Sequence, residues 1–168
     1  MSNELVLSED ITVITAEINA YQRMAGEAIY EIGRRLHEVK YNPSKFGLPE
    51  GTDKDNNAIV ARGYWGEWLE SVSMSYQQSD RFIRVFSELG NNNYLTYSNK
   101  GLDALYHIAT IDEEEREKHH TVPSSGETKT VDEMTVRELM RNPHNMQETF
   151  EALPISLSKT ISAKSLNE

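Results

Sequence analysis

The chain has 168 residues, 38% of them hydrophobic and 26% charged, and it carries a formal net charge of −10. That length suits one ordinary domain or a small domain with helical extensions, and the modest apolar share predicts a small core. The absence of cysteine excludes disulfides, thiolate zinc sites and thiol nucleophiles, and without an apolar run of about 18 residues no membrane span is expected.

The N-terminus MSNELVLSED has neither the basic region nor the apolar core of a secretion signal, so the expected location is the cytoplasm of the host cell. The first segment, residues 1–41, carries the strongest periodicity. Ile11, Ile14, Ile18, Tyr21, Ala25, Ala28, Ile32 and Val39 recur at steps of three and four, with Arg35 interrupting. Ile29 and Leu36 broaden the stripe, which predicts a long amphipathic helix over about 9–41. Ser8 is the expected N-cap, with Glu9 and Asp10 near the positive helix end. Glu31 and Arg35 stand four apart in the favourable order, whereas Glu27 and Glu31 repel. Asn42-Pro43 ends the helix. Its stripe can pack on the rest of the chain, or, being near heptad spacing, form a homodimer seam over residues 11–39.

Residues 42–63, NPSKFGLPEGTDKDNNAIVARG, are rich in Pro, Gly, Asn and Asp and lack a period. They read as an exposed loop with a short extended piece at Ala58–Ala61. Residues 64–118 read as a helix-turn-helix-like helical domain. Trp65, Trp68, Leu69 and Val72 share one helical face, and Ser73-Met74-Ser75 makes a turn. Ser75 is the N-cap of a second helix whose Ser79, Phe82, Ile83, Phe86 and Leu89 point inward, ended by Gly90-Asn91. Two short helices joined by three or four residues are the helix-turn-helix outline. After a turn at Asn91-Asn92-Asn93, Leu102, Leu105, Tyr106, Ile108 and Ala109 define a further helix.

The acidic stretch 112–117 follows and reads as a solvated helix start or a DNA-mimicking surface rather than a metal site or catalytic pair; HHTVPSSGETKT at 119–130 is then a linker by composition. Residues 131–168 read as a short helix over Val131–Arg141 and a loosely ordered tail beyond Asn142-Pro143. The expected fold class is therefore all-α.

The helix-turn-helix is the leading functional constellation. In such motifs the second helix enters the major groove and its first residues reach base edges. Counting from Ser75, the outward positions are Tyr76, Gln77, Gln78, Arg81 and Arg84. Gln pairs with adenine and Arg with guanine through two bonds each. Asp80 lies among them and repels phosphate. The competing reading is a hairpin packed for stability, with a solvated outer face.

Formal charge is −4 over residues 1–60, −1 over 61–106 and −5 over 107–168. A nucleic-acid binder needs local basic excess to displace counterions, so any double-stranded DNA contact belongs in the near-neutral middle. Trp65 and Trp68 read as core anchors. His37, His107, His119, His120 and His144 contain no HExxH motif and read as solvated, so no metal is expected. No phosphate loop or nucleophile triad stands out, so neither a cofactor nor catalysis is expected.

Two stretches, AEINAYQRMAGEAIYEIGRRLHEVK and GYWGEWLESVSMSYQQSDRFIRVF, together resemble an uncharacterised family of phages and prophages of low-GC Gram-positive bacteria. Its members show a long first helix ending in an IGRRL-like motif, a G-x-W-x-x-WLE segment and an aromatic-containing helix. GLDALYHIATIDEEERE and TVDEMTVREL are similar to other pieces of such proteins. The resemblance implies a mobile-element origin, a helical domain and a helix-turn-helix, and it supplies no catalytic residue. The loop at 42–61 is longer than the family pattern, and the charged helical continuation is missing after Arg141.

Two functions remain open at this level. One is a non-enzymatic, phage-type DNA-binding accessory or regulatory protein. The other is an acidic anti-defence (anti-CRISPR-like) protein that occupies the basic groove of a host nuclease or regulatory protein.

Overall fold

The structure is a computed structural model and describes residues 7–90 and 96–143. The chain forms two compact units, Met1–Leu105 and Tyr106–Glu168. The division falls inside a short helix, α4 (Leu102–Ala109).

Helix α1 runs from Ile11 to Tyr41. Its N-cap is Asp10 rather than Ser8. The Asp10 carboxylate accepts the Thr12 N–H at 2.8 Å and the Thr12 hydroxyl at 2.6 Å. Ser8 stands one step earlier and accepts the Asp10 N–H. A carboxylate outcompetes a hydroxyl here because its charge strengthens the bonds and complements the helix dipole. The bond from the Thr12 hydroxyl is the main cause that holds the Asp10 carboxyl below its ordinary pKa. At the other end the Asn42 N–H closes on the Glu38 carbonyl, and Pro43 opens a 3-10 turn through Phe46. Glu31 accepts from both Arg34 and Arg35, so the expected four-apart pair forms with a three-apart pair beside it.

The buried residues of α1 are Gly26, Gly33 and Leu36. Two of them have no side chain, and the reason is the approach of another backbone. A Cβ on Gly33 would run into the carbonyl oxygen of Phe82 and lie 2.9 Å from the Phe86 Cβ. Phe82 and Phe86 belong to α3 (Tyr76–Leu89), the helix that crosses α1 here. Gly26 meets the Ser98 carbonyl in the same way. Around this crossing, the Tyr30 hydroxyl donates to the Gly90 carbonyl at 3.1 Å. The Tyr30 and His37 rings stand 5.1 and 5.2 Å from Phe86.

Below the crossing lies a cluster of Leu36, Val60, Trp65, Leu69 and Ile83, with Trp65 and Leu69 from α2 (Arg62–Ser71). Val39, Leu48, Tyr64, Trp68, Met74 and Phe82 pack around it. Full burial of each such aliphatic or aromatic side chain contributes about 1.5–3 kcal/mol.

The chain is not all-α. The stretch read as a loop at 42–63 holds a hairpin of β1 (Glu50–Thr52) and β2 (Ala58–Val60), with Glu50 opposite Val60 and Thr52 opposite Ala58. The extended piece expected at Ala58–Ala61 is its second strand. Asp53 organises the turn by accepting the Asp55 and Asn57 N–H groups at 2.9 and 2.8 Å. Strands this short lack a detectable period and are marginal alone. Val60, 2% exposed, anchors the hairpin in the core beside Leu36.

The second unit also carries a hairpin, where composition read a linker at 119–130. Strands β3 (His120–Thr121) and β4 (Thr128–Lys129) pair antiparallel, joined by a turn in which Gly126 takes φ +71°. Ile108, Ile111, Val122, Val131, Met134 and Leu139 form the buried apolar set. The helix expected over Val131–Arg141 is shorter: α6 spans Val136–Met140. Its Thr135 cap and Glu138 hold each other's backbone N–H in a capping box, and Lys129 reaches Glu138 at 2.9 Å. The expected turn at 91–93 and the tail from 144 onward lie outside the described residues.

Between Asp112 and Glu117 the expected solvated run is interrupted. Helix α5 (Glu113–Arg116) buries Arg116, which is 3% exposed. Its Nε donates to the carbonyls of Ile108 at 3.1 Å and Ile111 at 2.7 Å. With its Nη2 donating to the Ala109 carbonyl at 3.4 Å, the guanidinium satisfies the last two carbonyls of α4, Ile108 and Ala109, which carry its negative dipole end.

Gly33→Ala should lower the unfolding free energy by roughly 3 kcal/mol, because the added methyl meets backbone that cannot move aside. Urea unfolding followed by circular dichroism measures it, and wild-type stability would refute the close crossing. The Thr135 N–H bond, followed by Lys129, draws the Glu138 carboxyl from 4.5 to about 2. A carboxyl held low stabilises the folded chain above 4.5 and loses that contribution as pH falls towards about 2. Glu138→Gln should therefore flatten the fall of the urea midpoint across this interval. An unchanged acid slope would contradict the assignment.

Candidate nucleic-acid interface

Helix α2 ends in a tight reversal that fixes where α3 begins. The Ser73 N–H bonds to the Glu70 carbonyl at 3.0 Å and the Met74 N–H to the Leu69 carbonyl at 2.9 Å. This paired arrangement needs a left-handed residue at the first position past the cap. Ser73 takes that role at φ +55°. Met74 then packs on the core cluster and pins the turn.

Ser75 caps α3 as the sequence predicts. Its hydroxyl accepts the Gln78 N–H, and the Gln78 side-chain oxygen accepts the Ser75 N–H, both at 3.1 Å. Ser79, Ile83, Val85 and Leu89 are buried on the inner face. Phe82 and Phe86 are half-buried. The Ser79 hydroxyl donates to the Tyr76 carbonyl at 2.8 Å, so the only polar side chain among the four buried ones is satisfied locally.

The outer face of α3 is partly engaged within the chain itself. Tyr76 is exposed, and its hydroxyl donates to the Arg62 carbonyl at 2.8 Å, tying the starts of α2 and α3 together. Gln77 and Gln78 are exposed, although the Gln78 oxygen serves the cap. Arg81 bonds Asp103 at 2.8 Å and keeps 35% of its side chain exposed. Arg84 does not stand outward as expected: it is half-buried, with Nε shielded from solvent. The structure thus leaves Tyr76, Gln77 and Gln78 exposed at the first turn, with Arg81 and Arg84 both half-buried beyond them.

Asp80 is answered by Lys40, whose Nζ lies 3.0 Å away. That ammonium also sits 5.8 Å from the Trp65 ring centroid, where the ring face adds a cation–π attraction. The carboxylate that would repel a phosphate is therefore countered from α1. Lys40 and Asp103 are the residues that sequence reasoning missed. They lie 40 and 22 positions from their partners, and no local pattern links them.

Chemically, an exposed Gln amide can bond an adenine edge twice, and Arg81 carries a guanidinium suited to guanine or phosphate. The positive end of a capped helix adds attraction for a phosphate. The other candidate groups belong to packing. Trp65 is buried and stacks on Trp68 at 5.3 Å. His37 lies against Tyr41 and Phe86, and His120 meets the Glu115 carbonyl. Among the described residues no group of three His, Asp or Glu side chains is placed to hold a metal. None of the described helices is long and apolar enough to cross a membrane.

Ser73→Gly should stabilise the chain by about 1 kcal/mol, since glycine takes the left-handed conformation without steric cost. A higher urea midpoint measures it, and no gain would argue against the left-handed turn.

No family model, no curated protein and no solved structure matches this chain.

Proposed function

We propose that this chain is a non-enzymatic DNA-binding accessory or regulatory protein of a phage or mobile element, contacting duplex DNA through the first turns of α3. The observation that carries the reading is the capped start of α3. Its apolar side is docked on α1 and α2, while Tyr76, Gln77 and Gln78 remain exposed beside Arg81. The resemblance of IGRRL and WGEWLES to phage proteins supports the mobile-element part of the reading. Lys40 supports it further by neutralising Asp80.

The net charge of −10 limits how many phosphates the chain can neutralise. Affinity then depends on a few base contacts more than on a broad basic surface, and the salt slope should be shallow.

Selection of duplexes from a random pool, followed by fluorescence anisotropy at several salt concentrations, tests the proposal. A recurrent site should emerge, and Gln77→Ala should weaken it about tenfold, in line with roughly 1–3 kcal/mol for a bidentate contact. Arg81→Ala should weaken it as well. Failure to enrich any duplex, or equal affinity of both variants and the parent, would overturn the reading.

A further inference from the structure

The first half of α1 carries an exposed apolar stripe. No residue of α1 before Gly26 is buried, yet Ile11 is 73% exposed, Ile18 52%, Tyr21 65% and Met24 61%. The buried face of α1, marked by Gly26 against Ser98 and by Tyr30, Gly33 and His37 against α3, lies roughly a third of a turn around the helix from this stripe at 3.6 residues per turn. Packing among the described residues therefore does not use it. Monomers rarely leave contiguous apolar patches of several hundred Å² open to water.

We infer that the stripe Ile11–Ile32 is the seam of a two-fold dimer, its occupant being the same stripe of a second copy. Three features favour a copy of this chain. The spacing is that of a heptad: Ile11, Ile18, Ala25 and Ile32 fall at one core position, with Ile14, Tyr21 and Ala28 at the other. Such a pattern is complementary to itself, and Ala25 and Ala28 let two helices approach closely. Charge also permits it. Between Ile11 and Ile32 the charged side chains are Glu17, Arg23, Glu27 and Glu31, net −2 in a chain of −10. In a parallel pair the flanking Glu17 of one copy faces Gln22 of the other, and Met24 faces Ile29, so no like charges meet. Finally, Ile11, Ile18 and Tyr21, the exposed core positions of this repeat, are the apolar side chains that a second copy would cover.

The seam is shorter than the whole apolar pattern of α1. Past Ile32 the helix turns its remaining apolar residues, Leu36 and Val39, into its own core. This inference stands whether or not the chain binds DNA.

Light scattering after size exclusion, at about 1–100 μM, tests it on the full chain. The expected mass is twice 19.2 kDa. Ile14→Glu/Ile18→Glu should return the mass to one copy, as should Ile18→Lys alone, in case the double variant folds poorly. Val13→Glu, placed off the seam, should leave the dimer intact. A monomeric parent at 100 μM would overturn the inference, as would a dimer that survives both seam variants.

Discussion

The crossing of α1 over α3 at Gly33 governs most of what the first unit presents to solvent. Because the helices meet backbone to side-chain base, with the Phe82 carbonyl under Gly33, α3 is held close and at a defined rotation. That rotation puts Ile83, Val85 and Leu89 inside and leaves the polar start of the helix outside. It also brings the last turns of α1 near α3, so that Lys40 reaches both Asp80 and the Trp65 face. A larger side chain at position 33 would separate the helices, and the Tyr30 bond to the Gly90 carbonyl would be lost with the Phe86 contacts.

Given that frame, electrostatics decide how much of the helix-turn-helix face is left for a ligand. Two of its charged residues are held by internal partners, Asp80 by Lys40 and Arg81 by Asp103. Exposed ion pairs of this kind contribute little to stability, on the order of 0–1 kcal/mol, so a phosphate or base edge can compete for Arg81. The Lys40–Asp80 pair has a different consequence, since breaking it would restore an unanswered negative charge next to the exposed Gln77 and Gln78. Lys40 on α1 and the polar start of α3 are thus parts of one surface. The long helix has two separable roles along its length, with its second half in the core and its first half offering an apolar stripe.

Much of the helical framework was legible because its signals are local. The three-four spacing from Ile11 onward, the Asn42-Pro43 stop and the Ser75 cap with Gln78 three residues later each lie within a few residues of what they determine. The hairpins were hidden for the opposite reason. Strands of two or three residues cannot show alternation, and Pro, Gly, Asn and Asp mark turns and loops alike. Arg116 was hidden by its neighbours: within an acidic run it looked solvated, while its partners are the carbonyls of Ile108 and Ile111. In the candidate interface, Gln77 and Gln78 were legible from helical phase. Helical phase did not show that Arg84 is half-buried, because burial depends on packing beyond the helix itself.

By itself the sequence determined that α1, α2 and α3 exist, where α3 starts and which residue types flank that start. Hydrogen-bonded turns, caps and helical periodicity are short-range, so the residues that specify them are adjacent in the chain. Only the tertiary structure decided that 50–60 and 120–129 pair as hairpins, that Lys40 answers Asp80 and Asp103 answers Arg81, and that the stripe of α1 splits between core and solvent. Those outcomes depend on burial and on contacts between residues far apart in sequence, which are set by how close two backbones can come.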